Sequence, residues 1–400
     1  MKKNPQLKTL VPSATLALNQ KAKMMQSQGM KVYNFTAGEP DFPTPKRICD
    51  AAKDAMDKGY TKYTPAAGIS QLRQAIANKY TGECKRDHQA SHVMVSNGGK
   101  QVLFNLFFSF LAPEDEVILF APYWVSYKSL VEMCGGKAIV IDTQPEHYFV
   151  PSIDQIKSKI SDRTRFIVVN SPCNPTGSVY PKSFLDDLSM LLKDHPNLIC
   201  VSDDMYENFV FDPCSFDSLA RNNRLNLDQL VIVNGVSKSF SMTGWRIGYA
   251  VANKEIIDMM TQVQSQSTSN ASSISQWAAL EAIEGSNPQE QLAMKNIFQK
   301  RRDLIYKKIK EIPSLSCLLP DGAFYLFVDF RKVLERVQGN NWSDIELAQY
   351  FLEEYQVAMV PGSAFGSPGF MRLSYGLSDE DIVNGVDRLH EGLKSLESLS

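Results

Sequence analysis

The chain has 400 residues, 44% of them hydrophobic and 10% aromatic, enough apolar material for a large packed core. Its 42 lysines and arginines nearly balance 44 aspartates and glutamates, and a net charge of −2 argues against nucleic-acid or membrane-surface binding through a global field. The seven cysteines form no C-x-x-C pair and the five histidines no H-E-x-x-H spacing, so neither a disulfide framework nor a metal site is expected, and reduced thiols point to a cytoplasmic compartment.

Lys2, Lys3 and Lys8 are followed by no apolar h-region, so no secretory signal is expected. No acidic residue precedes Glu39, as in a transit peptide, and no apolar run is long enough to span a membrane. From residue 92 onward, short β-branched runs alternate with helical patterns. Strands are predicted over His92–Ser96, Glu116–Phe120, Ala138–Asp142, Arg165–Asn170, Leu198–Ser202, Leu230–Asn234 and Trp245–Ala252. Amphipathic stretches such as Gln101–Leu111 and Pro181–Lys193 lie between them. Apolar strands alternating with helices predict an α/β fold, a mostly parallel seven-stranded sheet covered by helices. Ligands bind such sheets beyond the carboxyl ends of the strands. Polar and glycine residues gather there: Ser96–Lys100, Pro122–Trp124, Asn170–Gly177 and Asp203–Tyr206. From about Asn287 the pattern changes. A charged helix over Gln289–Glu311, the run Gly322–Val328 and a helix near Trp342–Tyr355 predict a smaller α+β domain.

The chemistry concentrates in Ser237-Lys238-Ser239-Phe240-Ser241-Met242-Thr243-Gly244-Trp245-Arg246-Ile247-Gly248, after an apolar strand. A lone lysine there is usually a solvated surface residue. A lysine followed eight residues later by an arginine can pair two functions. Its amine can form an imine with an aldehyde cofactor, and the guanidinium can hold a phosphate.

This segment resembles the cofactor-lysine motif of the class I, fold-type I pyridoxal-phosphate (PLP) aminotransferases. The chain is most similar to their bacterial-type (gamma) aspartate/prephenate subgroup, from about Pro12 to the C-terminal region, which leaves little room for a presequence. The resemblance implies an N-terminal arm with part of a small domain over residues 1–44. A large PLP-binding domain follows over 45–288, then a connector helix and small C-terminal domain over 289–400. It implies Lys238 as the catalytic residue, holding PLP as a Schiff base. Gly98, Gly99 and Lys100 match the phosphate cup, where glycines and a helix N-terminus suit an anion. Arg246 also binds the phosphate. Trp124 stacks on the pyridine ring, Asn174 and Tyr206 bond the ring oxygen, and Asp203 keeps the pyridinium protonated. Tyr63 reaches the phosphate of a neighbouring subunit's cofactor, so a homodimer with shared sites is expected. Two positions depart from the family. Cys173 replaces an asparagine, with an expected effect on thiol reactivity, and Gly235 replaces a serine that contacts the phosphate.

Arg372 matches the clamp for the substrate α-carboxylate, with Gly38, Asn174 and Trp124 bordering it. Lys100 suits a distal carboxylate, with Ser13 and Thr15 supplying hydroxyls on a lid. Prephenate-capable members carry a basic residue where Val11 stands, so aspartate is the expected main substrate. The implied reaction is ping-pong transamination of L-aspartate and 2-oxoglutarate to oxaloacetate and L-glutamate. Alternatives on the same fold are transamination of prephenate, aromatic amino acids, kynurenine or alanine, and a non-catalytic PLP-binding protein. A dinucleotide-binding protein is disfavoured, because no G-x-G-x-x-G follows the first strands.

Overall fold

The computed structural model describes residues 14–84, 86–221, 224–337 and 342–399. In chain order its strands begin with β1 (Tyr33–Asn34), β2 (Val93–Ser96), β3 (Glu116–Ala121), β4 (Lys137–Asp142), β5 (Thr164–Asn170), β6 (Ile199–Asp203) and β7 (Leu230–Gly235). They continue with β8 (Gly248–Val251), β9 (Ser316–Cys317), β10 (Tyr325–Asp329), β11 (Val357–Ala358), β12 (Val360–Pro361) and β13 (Phe370–Ser374). Seven strands form the main sheet in the order β2-β8-β7-β6-β5-β3-β4.

These strands are the predicted ones, with ends shifted by a few residues. The largest shift is in β8. Thr243–Trp245 form a 3-10 turn and Arg246 adopts a left-handed φ of 56°, so the strand begins only beyond Arg246, at Gly248. The β-branched runs are strands because both sheet faces are covered. In β3, Val117, Leu119 and Ala121 join the core on one face, and Ile118 and Phe120 join the core on the other. Helices Gly99–Phe110, Ser126–Met133 and Lys254–Ser267 cover the first face; Ser70–Cys84, Lys182–Lys193 and Ser273–Glu284 cover the second.

Strands β3 to β7 run parallel to one another. β8 runs antiparallel to both β7 and β2. The carboxyl ends of β2, β3, β5, β6 and β7 therefore share one edge with the amino end of β8. That edge collects the polar turns.

A second sheet, β12-β13-β10-β9, is antiparallel throughout. Its core includes Phe324, Leu326, Phe351 and Leu373, with helices Pro288–Lys310, Asp344–Tyr355 and Asp379–Leu399 packed around it. The first of these starts where the sequence pattern changes, with Asn287 accepting from the Gln289 N–H and proline at the first helical position. β1 pairs in parallel with β11, which brings the segment after it to the main sheet's polar edge. Among the described residues no helix is long and apolar enough to cross a membrane.

One buried ion pair braces the turn after β6. Lys79, on helix Ser70–Cys84, donates to Glu207, whose side chain is 7% exposed. Lys79→Met would leave that carboxylate buried and unpaired. A loss of about 3 kcal/mol is expected, read as a lower unfolding midpoint. An unchanged midpoint would show that the turn does not depend on the pair.

Candidate active site

A cavity of about 230 Å³ opens at the polar edge of the main sheet. Gly38, Gly99, Lys100, Trp124, Asn174, Asp203, Tyr206, Lys238, Arg246 and Arg372 line it together. Gly98 adjoins Gly99 as the N-cap of helix Gly99–Phe110. Tyr63 stands outside the cavity and is 92% exposed. Its loop is anchored by Gln276, which donates to Thr64 Oγ1 at 3.0 Å, and by Gln264, which donates to the Ala66 carbonyl at 2.6 Å. Ser13 lies outside the described residues, as does the side chain of Thr15 at the start of helix Ala14–Ser27.

Lys238 follows β7 and donates from Nζ to the Gly38 carbonyl. Burial pulls its amine down to about 8; Glu39 opposes this, and Arg372 and Arg246 reinforce it. Roughly one lysine in ten is then a neutral, nucleophilic amine at pH 7.

Beside it lies an anion cradle. Gly98 has a φ of 88°, and a Cβ there would fall 2.3 Å from Arg246 Nη2. A Cβ on Gly248 would fall 2.3 Å from the Gly99 nitrogen, so the start of β8 nests directly against the helix start. Among the described residues no side chain caps that helix, which leaves its amino end free for a ligand. Arg246 is held across it, Nη1 donating to the Thr243 carbonyl at 2.7 Å and Nη2 to the Asn97 carbonyl at 3.4 Å. Gly235 pairs with Gly248 and brings no hydroxyl, while Ser237 lines the cavity. Lys100 keeps a solvent-exposed surface although it lines the cavity, with Nζ 5.3 Å from the Trp124 ring centre; partial desolvation by the surrounding protein, then Arg246, lower its pKa.

Asp203 ends β6 within the protein. Burial lifts its carboxyl to about 6, although the Tyr127 hydroxyl and the Met205 N–H both donate to it. Asn170 Nδ2 donates to the Asp203 carbonyl at 3.0 Å, and its Oδ1 accepts from the Asn174 N–H at 2.9 Å. One amide thus ties together the turns that follow β5 and β6.

Arg372, on β13, is 2% exposed. Its Nη1 donates to Asn174 Oδ1 at 3.0 Å and its Nη2 to the Thr36 carbonyl at 2.9 Å. Tyr325 and Phe365 flank the guanidinium, their ring centres 4.4 and 5.1 Å away. Both hydrogen-bond partners are neutral, and among the described residues Nε has none. A buried cation without a counter-charge is costly, and a bound carboxylate would satisfy it. Asn174 Nδ2 lies 3.5 Å from the Tyr206 hydroxyl, which is 2.8 Å from that of Tyr325.

Cys173 does not behave as the sequence suggests. Its thiol is buried, donates to the Pro122 carbonyl at 3.7 Å and is pushed by burial up to about 11. Such a thiol is a poor nucleophile. Sequence reasoning also passed over Tyr127, Asn170, Thr36 and Tyr325. Only Asn170 left a local signal, as the polar end of an apolar strand.

This geometry suits a compact, anionic aromatic ligand that presents a carbonyl to Lys238. The cradle takes an anionic group, the Trp124 ring offers a flat face, and Asp203 offers a carboxyl to a ring N–H. The family described as Aminotransferase class I and II matches residues 30–389. An aspartate aminotransferase of Bacillus subtilis is 43% identical over 391 residues, covering 97% of this chain and 98% of its own. An aspartate/prephenate aminotransferase of Nitrosomonas europaea is 41% identical over 403 residues, covering 100% of both chains. The structure of a Thermus thermophilus aspartate aminotransferase with maleate superposes with a TM-score of 0.90 at 39% identity, covering 98% of this chain and 100% of that one.

Proposed function

The chain belongs to the class I and II aminotransferases, and from that premise we propose that it is a PLP-dependent aspartate aminotransferase. The reaction passes the amino group of L-aspartate to 2-oxoglutarate, yielding oxaloacetate and L-glutamate. One observation carries the reading: a lysine amine lowered to about 8 lines the same cavity as a buried arginine that has no counter-charge among the described residues. The first is what imine chemistry and proton transfer need, the second what an amino acid's α-carboxylate needs.

The residues fit the cofactor. Arg246, Gly98, Gly99 and the free start of helix Gly99–Phe110 would hold its phosphate. Trp124 would cover one ring face, Asn174 and Tyr206 would bond the ring oxygen, and Asp203 would hold the ring nitrogen's proton. When bound, PLP supplies an aldehyde that takes up the amino group and a ring that spreads the charge left at Cα. Arg372 binds the α-carboxylate with its forked donors. Lys238 takes the proton from Cα and returns it to the carbon that will carry the amino group. Lys100 pairs with the distal carboxylate. Ser13 and Thr15 would serve the same carboxylate from an N-terminal lid. Tyr63, being exposed, would reach the phosphate in a second copy of the chain, so the working unit is a homodimer, located in the cytoplasm. The same reading divides the chain at about residues 44 and 288.

The visible spectrum tests this directly. The reconstituted protein should show a pH-sensitive band that aspartate converts to the pyridoxamine form. A band that ignores aspartate but answers another amino acid would overturn the substrate. Lys100→Ala should lower kcat/KM for aspartate by roughly 10- to 100-fold and leave alanine within a few fold, since alanine has no second carboxylate. Equal losses for both would remove Lys100 from specificity. The aspartate/prephenate name of one relative raises prephenate as a second substrate. Val11, where prephenate-capable members are basic, favours aspartate in a direct competition assay.

Asp203 also sets a pH dependence. Its carboxyl titrates at about 6 in the folded chain, above the ordinary 3.8, so below pH 6 it is protonated and offers a ring cation no charge. Cofactor binding then expels that proton, and affinity rises as pH rises through about 6. Dialysis at pH 5 should strip cofactor faster than at pH 7.5. In Asp203→Asn the titrations of the Lys238 amine and of the phosphate remain, and the contrast should shrink without vanishing. An undiminished contrast in the variant would place the titration elsewhere.

A further inference from the structure

We propose that Tyr325 is a positioning residue: its hydroxyl donates to Tyr206 and thereby turns the Tyr206 proton into the cavity, toward the ring oxygen of the cofactor. The inference rests on the PLP reading above.

Hydrogen-bond direction carries it. Arginine can only donate, so the 3.0 Å contact makes Asn174 Oδ1 the acceptor and turns its Nδ2 toward Tyr206. The Tyr206 oxygen therefore accepts from Asn174. A phenol oxygen has two acceptor sites and one proton. If Tyr206 donated to Tyr325, it would have nothing to give a ring oxygen. If Tyr325 donates across the 2.8 Å contact, both acceptor sites of Tyr206 are filled and its proton is free for the cavity that both residues line.

The surroundings support this role. Tyr325 is 1% exposed, and burial holds both phenols protonated. With water largely excluded, each donor strengthens the next. The Tyr325 hydroxyl also lies beside Gly38, where an added Cβ would meet it at 3.1 Å; the Gly38 carbonyl is the one that accepts from Lys238. The Tyr325 ring separately covers the Arg372 guanidinium. Ring and hydroxyl thus have different duties, one toward the substrate carboxylate and one toward the cofactor.

The test is a spectrophotometric pH titration of the holoenzyme, comparing wild type with Tyr325→Phe, Tyr206→Phe and the double variant. Without the Tyr325 hydroxyl, Tyr206 donates less well, negative charge on the ring oxygen is less stabilised, and the nearby nitrogen holds its proton more tightly. The midpoint of the visible band should rise by about half a unit in Tyr325→Phe, and by more in Tyr206→Phe. The double variant should match Tyr206→Phe alone, because Tyr325 acts only through Tyr206. Maleate affinity should stay within about threefold in Tyr325→Phe, since the ring over Arg372 is retained. An unmoved midpoint in Tyr325→Phe, or additive shifts in the double variant, would overturn the inference and leave the cofactor reading intact. Absence of any visible band in the reconstituted wild type would overturn both.

Discussion

Lys238→Ala is expected to lower steady-state transamination of aspartate by at least about 10⁴-fold, since one substitution removes both the amine that binds the aldehyde and the base that moves the Cα proton. The folded environment is what equips this lysine. Burial brings its amine down to about 8, and the Gly38 carbonyl fixes Nζ at the cavity wall. Lys238→Arg would keep a positive charge at that place without an amine that can lose its proton near neutral pH, and should fail to a similar degree. Following oxaloacetate formation with both variants decides the matter. Turnover within about a hundredfold of wild type in either would mean that Lys238 is not the proton carrier.

Arg372→Leu should show the second large effect, and in an unusual combination. Every amino-acid substrate carries an α-carboxylate, so kcat/KM should fall by roughly 10²- to 10³-fold for aspartate and alanine alike. Stability should change little, because the loss of a buried, uncompensated cation offsets the cost of leaving Asn174 Oδ1 and the Thr36 carbonyl without that donor. The arginine is a buried cation whose two partners are neutral oxygens, and an apolar side chain of similar volume removes an uncompensated charge. Arg372→Lys should recover only part of the activity, because an ammonium lacks the forked donors that match a carboxylate. Steady-state kinetics with both substrates, together with an unfolding curve, test this. If activity and unfolding midpoint fall in proportion, Arg372 is a structural residue and the carboxylate binds elsewhere. The contrast with Lys100 is then diagnostic, since Lys100→Ala should spare alanine and Arg372→Leu should not.

Much of the frame was legible in the chain. The main-sheet strands are continuous apolar runs, and such runs form central strands wherever both faces are covered. The turns after them carry glycine, proline and asparagine in patterns with few alternative uses. Lys238 and Arg246 could be paired because a single local segment holds both. The start of β8 differs from the expected one, since Trp245 and Ile247 extend the apolar pattern across Arg246, a left-handed residue that only the packing against Gly98 explains.

The sequence by itself therefore determined the strands, the helices between them, and the residue types able to do the chemistry, because local pattern and side-chain chemistry are written along the chain. Only the tertiary structure decided which of them meet. The antiparallel run of β8 carries Arg246 to the same edge as the carboxyl ends of its neighbours. Arg372 meets Asn174 across 198 residues of chain and Thr36 across 336, contacts that no local pattern encodes. Tyr127 finds Asp203, and Tyr325 finds Tyr206, in the same way. The lowered amine of Lys238 and the raised carboxyl of Asp203 belong to the fold as well. Exclusion of water disfavours each charged form, and that exclusion exists only once distant segments have packed together.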